Sequence, residues 1–202
     1  SEMCIRDRYN DNQVAWYEND GTPSDGGWTH HTVKDYSGNG IEDLFVADID
    51  DDGDLDIISA DGSGDKILYH INDGTPDNGA WSTNTVISGS DADGAMSVHV
   101  ADIDSDGDLD IVAALFMTSH VVWIENDGSP NNGGWTSHDV VSSSSSKESY
   151  DVTVADIDGD GDLDILEADQ SNKIYWYEND GTPDDGTWSM TKIKGGLTDA
   201  HV

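Results

Sequence analysis

The chain has 202 residues, and 43 acidic residues against 8 basic ones give it a formal net charge of −35. This balance excludes nucleic acid as a partner, because Lys and Arg hold phosphate backbones, and it disfavours docking on anionic membranes. The longest apolar run, 111–117, is far shorter than the roughly 20 residues that span a bilayer, so we expect no membrane insertion in this segment. The favoured partners are cationic or neutral, with metal ions first among them.

The first eight residues fit none of the patterns that follow. The stretch from Met3 to Arg8 resembles a translated sequencing-adapter tag, so we expect residues 1–8 to be a non-native leader; a divergent native leader is the alternative. Cys4 is the only cysteine of the chain, and one cysteine cannot form an internal disulfide.

From residue 9 onward one unit recurs along the chain. Acidic segments start at Asp48, Asp102 and Asp156, with 54 residues between successive starts. An aromatic run ending in Asn-Asp-Gly follows each segment, and then a Gly-rich turn ending in Trp. This periodicity is the signature of a repeat architecture. The predicted units are a partial repeat at 9–41 (the last two strands of a blade), repeats with an acidic loop at 42–95, 96–149 and 150–196, and the start of the next repeat at 197–202.

Each complete unit predicts four short strands. In the first of them we expect strands near 44–47, 55–60, 66–72 and 81–88, where β-branched and aromatic residues lie between Gly, Asn and Asp turn signals. This pattern also argues against the disorder that high charge and low hydrophobicity suggest. The predicted fold is all-β, a β-propeller built of four-stranded blades. A parallel solenoid, whose coils are shorter, is the weaker alternative.

The spacing of the units predicts that the propeller is incomplete. The distance from acidic loop to Asn-Asp-Gly turn places a further loop before residue 1, and the last residues resemble the strand that precedes a loop. We therefore expect about three and a half repeats, cut from a longer array.

The acidic loops predict metal binding. Each reads D-x-D-x-D-G-D-L-D, with carboxylates at alternate positions and Gly at the sixth. Calcium takes six to eight oxygen ligands, which a tightly curved loop of this kind can supply from side chains and one backbone carbonyl. Carboxylates about 4 Å apart repel by ~4 kcal/mol at an effective dielectric of 20, so a cation is expected among them. We predict about three calcium ions, one for each intact loop. The predicted ligands are Asp48, Asp50, Asp52, Asp54 and Asp56; Asp102, Asp104, Asp106, Asp108 and Asp110; and Asp156, Asp158, Asp160, Asp162 and Asp164, the fourth of each set through its backbone carbonyl.

Other metal sites fit the loops less well. Zinc is disfavoured because no Cys or His accompanies the motif, and magnesium prefers strict octahedral geometry. An EF-hand needs a Glu at its twelfth position and flanking helices. The twelfth positions are Ser59, Ala113 and Glu167, followed by strand-like sequence. We interpret Glu167 as an exposed strand residue.

The acidic loop between two strands, repeated together with sequences such as WYENDG, resembles FG-GAP/VCBS repeats over about residues 12–202. The resemblance implies the calcium-binding propeller of integrin alpha subunits and many secreted bacterial proteins, with calcium structural in the loop between the first two strands of a blade. Closed rings of that family commonly have seven blades, so about half of a ring of roughly 380 residues is expected here. Clear FG and GAP tripeptides are lacking, which suggests the bacterial branch and puts integrin-type ligand binding in doubt.

Other residues give weaker signals. The tryptophans are interpreted as blade packing rather than as sugar platforms, and the Asn-Asp-Gly turns as plain turns rather than second cation sites. His99 lies on a predicted first strand and is a weak ligand candidate, while the seven histidines show no metal spacing. The serines at 142–146 form a polar loop. With so many carboxylates, a glycosidase-like pair is expected by chance.

Three functions remain open. The favoured one is a non-enzymatic, calcium-stabilised propeller of a secreted or cell-surface protein, serving adhesion or recognition of an extracellular protein or carbohydrate. The others are the propeller portion of a secreted polysaccharide-active enzyme and a pure structural spacer. Weak calcium loops suit the millimolar calcium outside cells, and the remaining acidic excess suits a saline setting, so the predicted location is extracellular.

Overall fold

The structure, a computed structural model, describes residues 3–6, 13–22, 24, 26–36, 40–141 and 148–195. These residues form strands, short 3-10 turns and loops, with no α-helix among them. No helix within the described ranges is long and apolar enough to cross a membrane. The predicted polar loop at 142–146 and the predicted repeat start at 197–202 lie outside the described residues.

The described part of the chain contains fifteen strands and four 3-10 turns. The strands are β1 (Met3–Arg6), β2 (Gln13–Asn19), β3 (Trp28–Asp35), β4 (Ile41–Ala47), β5 (Asp56–Asp61), β6 (Lys66–Ile71), β7 (Ser82–Ser88), β8 (Ala95–Ala101), β9 (Asp110–Leu115), β10 (His120–Asn126), β11 (Trp135–Val141), β12 (Ser149–Ala155), β13 (Asp164–Asp169), β14 (Lys173–Glu178) and β15 (Ser189–Gly195). The 3-10 turns are Pro76–Asn78, Gly89–Asp91, Pro130–Asn132 and Pro183–Asp185.

The strands form four antiparallel sheets in sequence order, which we call blades 1 to 4: β1–β3, β4–β7, β8–β11 and β12–β15. Blades 2 to 4 have four strands each and confirm the predicted all-β fold of four-stranded units. They begin at Ile41, Ala95 and Ser149, each one residue before the predicted start of a repeat. Blade 1 has three strands where the sequence predicted two, because β1, from the predicted leader, pairs with β2.

Consecutive blades pack face to face, and the hydrophobic cores lie between them. One cluster joins blades 1 and 2, a second joins blades 2 and 3, and a third joins blades 3 and 4. Successive residues of β9 point to opposite faces, so Ile111 packs toward blade 2 and Val112 toward blade 4. Burial on both faces explains why residues 111–115 of this strand are all apolar. This stacking is that of a propeller segment, and the four described blades do not close a ring.

The first strands of neighbouring blades meet along one side of the stack. The Ser97 hydroxyl on β8 lies 3.0 Å from Asp43 Oδ2 on β4 and 3.1 Å from Asp151 Oδ1 on β12. The Val98 backbone N–H donates to the same Asp43 oxygen, at 3.0 Å. Burial raises the pKa of Asp43. His99, the weak ligand candidate, packs against Phe45 with ring centroids 4.8 Å apart, so the structure gives it a packing contact.

Glu167 is not the exposed strand residue that the sequence suggested. Its side chain is 0% exposed on β13. It accepts hydrogen bonds from the Ser149 hydroxyl (2.6 Å) and the Tyr177 hydroxyl. A buried carboxylate is costly unless such donors satisfy it, and both donors come from the strands on either side of β13. The interpretation was wrong because it judged a strand position without its cross-strand neighbours.

Candidate metal centres

The three acidic loops occupy the same place in blades 2, 3 and 4, between the first and second strands. In each, the sixth-position glycine has a positive φ, with values of 93°, 103° and 106° at Gly53, Gly107 and Gly161. Glycine adopts such a conformation without steric cost, so the predicted sharp turn is present. The fourth position is also left-handed, at Asp51 (φ 56°), Ser105 (φ 61°) and Gly159 (φ 82°).

The loop conformation brings three carboxylates together in each blade. One oxygen from each member of a triad lies within 4.8 Å of an oxygen from each of the other two. The triads consist of the first, third and ninth loop residues: Asp48, Asp50 and Asp56; Asp102, Asp104 and Asp110; and Asp156, Asp158 and Asp164. The donor set is therefore oxygen only, which suits a hard cation such as calcium.

The remaining predicted ligands lie at the edges of these triads. Asp52 Oδ1 accepts the backbone N–H of Asp54 at 2.9 Å, and Asp106 and Asp160 make the same bond in their loops. The carboxylate of Asp54 lies against Gly74 of the Asn-Asp-Gly turn, where an added Cβ would come within 2.7 Å of Asp54 Oδ2. Asp108 and Asp162 pack in the same way against Gly128 and Gly181. These three side chains point out of the triads, and their predicted ligand role through the backbone carbonyl stays a prediction.

The ninth loop residue is the buried anchor of each triad. Asp56, Asp110 and Asp164 are all 0% exposed. Asp110 Oδ2 accepts the backbone N–H of Ile103 at 3.1 Å, and Asp110 Oδ1 accepts that of Asn126 at 2.8 Å. Burial raises the pKa of Asp110 to about 7 and that of Asp56 to about 6, because desolvation disfavours the charged form. A bound cation favours the charged form and would offset this penalty.

The Asn-Asp-Gly turn braces the acidic loop of its own blade. Besides its backbone bond to the anchor, Asn126 donates from Nδ2 to the Leu109 carbonyl (3.2 Å) and accepts the Gly128 N–H at Oδ1 (3.2 Å). Asn72 and Asn179 make the same contacts in blades 2 and 4. This role was not predicted from the sequence, in which the segment was interpreted as a plain turn. The available signal was the nearly constant spacing between each anchor Asp and the next Asn-Asp-Gly.

Two buried carboxylate oxygens in these centres have no hydrogen-bond partner. They are Asp50 Oδ1 in the first loop and Asp102 Oδ1 in the second. Because buried polar atoms are nearly always satisfied, such atoms need an explanation. A cation held by the triad would supply the missing partner, so the residues present fit a bound metal ion.

Neighbouring blades contact the first two loops. Asn131, in the 3-10 turn of blade 3, donates from Nδ2 to Asp50 Oδ2 of the first loop at 2.7 Å. Asn179 of blade 4 donates from Nδ2 to the Ile103 carbonyl in the second loop at 3.3 Å. Each of these two candidate centres is thus built from its own blade and contacted by the following one.

These features define a repeat protein of the propeller type, with one acidic loop in each complete blade. The model of the FG-GAP-like repeat matches residues 48–113 and 114–167, which is more than half of the chain. The chain belongs to the FG-GAP-like repeat family, as the resemblance of its loops and aromatic strands suggested.

Comparison with solved structures supports the fold. The chain is similar to an Agrocybe aegerita lectin, whose structure is described as the basis of specific recognition of non-reducing terminal N-acetylglucosamine. The two share 22% identity with a TM-score of 0.57, over 94% of this chain and 52% of the lectin chain. This chain therefore spans about half the length of that lectin. A search of curated proteins finds no significant match.

Proposed function

We propose that this chain is a calcium-binding propeller segment of a secreted or cell-surface protein, in which calcium is structural and the assembled blades recognise an extracellular ligand. One ion would be held in each of the three acidic loops by the first, third and ninth aspartates. The role is one of binding rather than catalysis, and the polysaccharide-active enzyme and the structural spacer are its alternatives.

The calcium site is supported by the convergence of three carboxylates in each loop and by buried oxygens that have no hydrogen-bond partner. Three carboxylates converge in each loop, and in the first two loops a buried oxygen has no partner. Without a cation, each pair of charges at about 4 Å costs roughly 1 kcal/mol in water and more where solvent is excluded. The ion, when bound, would neutralise this repulsion.

The chain's own residues would hold the loop ready for the ion. Backbone N–H groups orient the first aspartate, as when Gly53 donates to Asp48 Oδ2 at 2.9 Å. The Asn-Asp-Gly turn fixes the anchor aspartate from the opposite side. Because this turn follows the third strand and the loop follows the first, an ion would tie the strands of a blade together at one end.

The ligand class is supported by charge and by the structural comparison. A net charge of −35 disfavours anionic partners and suits an environment where salt screens repulsion. The similar lectin recognises non-reducing terminal N-acetylglucosamine, and we propose that the ligand of this chain is also a carbohydrate. An extracellular location is supported by loops that suit millimolar calcium.

A calcium titration tests the proposal. After EDTA treatment, isothermal calorimetry of the 202-residue chain should show about three bound ions, with the melting temperature rising with each addition of calcium. One site occupied at 100 times its Kd should stabilise the fold by ~2.7 kcal/mol. The matched control is Asp108→Asn, because the Asp108 side chain lies outside the triad and should leave the stoichiometry unchanged. No binding at millimolar calcium would contradict the proposal.

A further inference from the structure

A groove lies at the junction of blades 2 and 3. Its volume is about 280 Å³, close to the lower end of the range of roughly 300–1,000 Å³ for small-molecule sites. One wall is the outer strand β7, and the other is the 3-10 turn of blade 3 with the tryptophan that follows it. The walls include Asn84, Thr85, Pro130, Asn131, Asn132 and Trp135.

The groove coincides with a departure of blade 2 from the repeat. In blades 1 and 3, a tryptophan stacks on a histidine of the following strand, from β2 to β3 in blade 1 and from β10 to β11 in blade 3. Trp16 lies 4.2 Å from His31 and Trp123 lies 4.5 Å from His138, measured between ring centroids. In blade 2 the same cross-strand pair is Tyr69 and Asn84. This substitution leaves no stacked ring pair beside the groove.

The junction of blades 1 and 2 shows what the tryptophan does when it is present. There, Trp16 Nε1 reaches across to the Pro76 carbonyl of the next blade at 3.4 Å. At the junction of blades 2 and 3, Tyr69 occupies the position of Trp16 but donates its hydroxyl to Asp56 within its own blade, at 2.8 Å. The corresponding carbonyl, that of Pro130, accepts from Trp135 Nε1 at 3.3 Å, as the Pro76 carbonyl also does from Trp81 Nε1 at 3.2 Å. The second junction therefore lacks the indole N–H that crosses the first, and the Tyr69 ring instead makes an edge contact with Trp135, with centroids 6.4 Å apart.

The lining of the groove is uncharged, although a quarter of the chain's residues are charged. It offers three amide side chains, one hydroxyl and the surface of an indole ring. Amides both donate and accept hydrogen bonds, and an indole presents an apolar surface. At the next junction, the equivalent positions of β11 and of the 3-10 turn are His138, Asp139, Asp184 and Asp185, so that junction carries acidic groups instead.

We infer that the groove between blades 2 and 3 binds a neutral saccharide, with Asn84, Asn131 and Asn132 bonding its hydroxyls and Trp135 supporting its apolar face. This inference rests on the proposed recognition function and gives it a location and a ligand class. A neutral polyhydroxyl ligand matches a lining without ionic partners, and the surrounding negative charge disfavours an anionic one. A cationic ligand would find no carboxylate among the lining residues.

The groove is also connected to the first acidic loop. Asn131 donates to Asp50 of that loop at 2.7 Å, and its backbone carbonyl accepts a hydrogen bond from Asn84 Nδ2 at 3.4 Å. The turn that forms one wall is thus held by a predicted calcium ligand. We expect saccharide affinity to fall when calcium is removed.

Glycan binding by the 202-residue chain in calcium tests the inference. Fluorescently labelled protein is applied to an array of neutral and anionic oligosaccharides, including glycans ending in N-acetylglucosamine or neutral hexoses. The affinity for the strongest neutral binder is then measured by calorimetry. In the variant Asn84→His/Thr85→Asp, the groove receives the residues that blade 3 carries at these positions. It should lose about tenfold or more in affinity while still binding about three calcium ions.

The reciprocal variant His138→Asn/Asp139→Thr is the matched control and should keep the wild-type glycan affinity. Unchanged affinity in the groove variant would overturn the inference by placing the site elsewhere. Binding of anionic glycans alone, or of no glycan by a chain that titrates normally with calcium, would overturn it and leave the calcium proposal standing. A failed calcium titration is a separate result that contradicts the proposed function itself.

Discussion

The second and third acidic loops have the same pattern of aspartates, but their surroundings differ. In the second loop Asp102 and Asp104 are partly buried, and a residue of blade 4 contacts the loop backbone. In the third loop Asp156 and Asp158 are exposed. One sequence motif thus lies in two electrostatic environments, which differ in how far the first and third aspartates are exposed.

The hydrogen bonds to the first aspartate of each loop also set the third loop apart from the first two. Asp48 and Asp102 accept the N–H of the sixth-position glycine in their loops. Asp156 instead accepts the N–H of Gly159, at 2.7 Å. The orphaned buried oxygens occur in the first two loops. Because charges interact more strongly where solvent is excluded, we expect the covered loops to hold calcium more tightly than the exposed third loop.

Replacing the anchor aspartates should give the largest effects and tests this comparison directly. Asp110→Asn should abolish one calcium site and destabilise the calcium-loaded protein by about 3–5 kcal/mol, since a charged hydrogen-bond acceptor and the ion are both lost. Asp164→Asn should also remove one site but cost less, because the ion in the exposed loop contributes less. Calorimetric stoichiometry and denaturant unfolding in calcium measure both quantities. An equal or larger loss for Asp164→Asn would show that exposure of the third loop does not weaken its ion.

A pH series probes the buried interior of blade 2. His70 is buried between the hydroxyls of Ser59 (2.9 Å) and Thr83 (3.1 Å), and burial lowers its pKa to about 3. Its ordinary value is about 6.5. Between pH 6.5 and pH 3, His70 is therefore protonated in the unfolded chain and neutral in the folded chain. The contribution of neutral His70 to the unfolding free energy is fully present above pH 6.5. It should be lost as the pH falls toward 3, by up to ~1.4 kcal/mol per pH unit.

The control for this titration is His70→Gln, whose amide can still bond both hydroxyls. Measured in EDTA, so that calcium does not contribute, its unfolding free energy should fall less steeply below pH 6.5 than that of the wild type. Parallel curves for the two proteins would show that His70 does not carry the acid sensitivity.

Removing the brace of a loop should have a smaller effect. Asn126→Ala deletes the side-chain bonds to Leu109 and Gly128 but keeps the backbone bond to Asp110, so we expect a loss of about 1–3 kcal/mol and weaker calcium binding. Asn179→Ala should weaken two sites, because Asn179 also bonds Ile103 in the second loop. Calorimetry of both variants checks this. A single weakened site in Asn179→Ala would contradict the described coupling between blades.

The smallest predicted effect concerns the contact of Asn131 with the first loop. Asn131→Ala removes an exposed donor to Asp50, so we expect calcium affinity at that loop to fall a few-fold, by about 0.5–1.5 kcal/mol. The matched control is Asn132→Ala, next to it in the same turn. Competition with a calcium-sensitive dye resolves such a shift. Equal calcium affinities of the two variants would show that the bond from Asn131 to Asp50 does not strengthen calcium binding at the first loop.

Much of the fold could be predicted because the 54-residue spacing of the acidic loops gives the length of one blade. The four strands of blade 2 lie within a few residues of their predicted bounds, and the acidic loops lie between first and second strands as the family resemblance implied. Runs of β-branched and aromatic residues between turn signals also identified the strands.

The sequence could not reveal contacts between distant positions. Glu167 is satisfied by Ser149 and Tyr177, and Asp50 meets Asn131 from the next blade. Such pairs depend on how blades and strands are juxtaposed, which no local pattern encodes. The pattern proposed five ligands per loop, and the structure brings three of those side chains together.

We propose that each Asp triad, braced by its Asn-Asp-Gly turn, holds one calcium ion, and anomalous diffraction from crystals grown in calcium can locate the ions. We expect three peaks, each about 2.3–2.6 Å from the triad oxygens, with the lowest occupancy in the third loop. Peaks away from the triads, or no peaks at millimolar calcium, would contradict it.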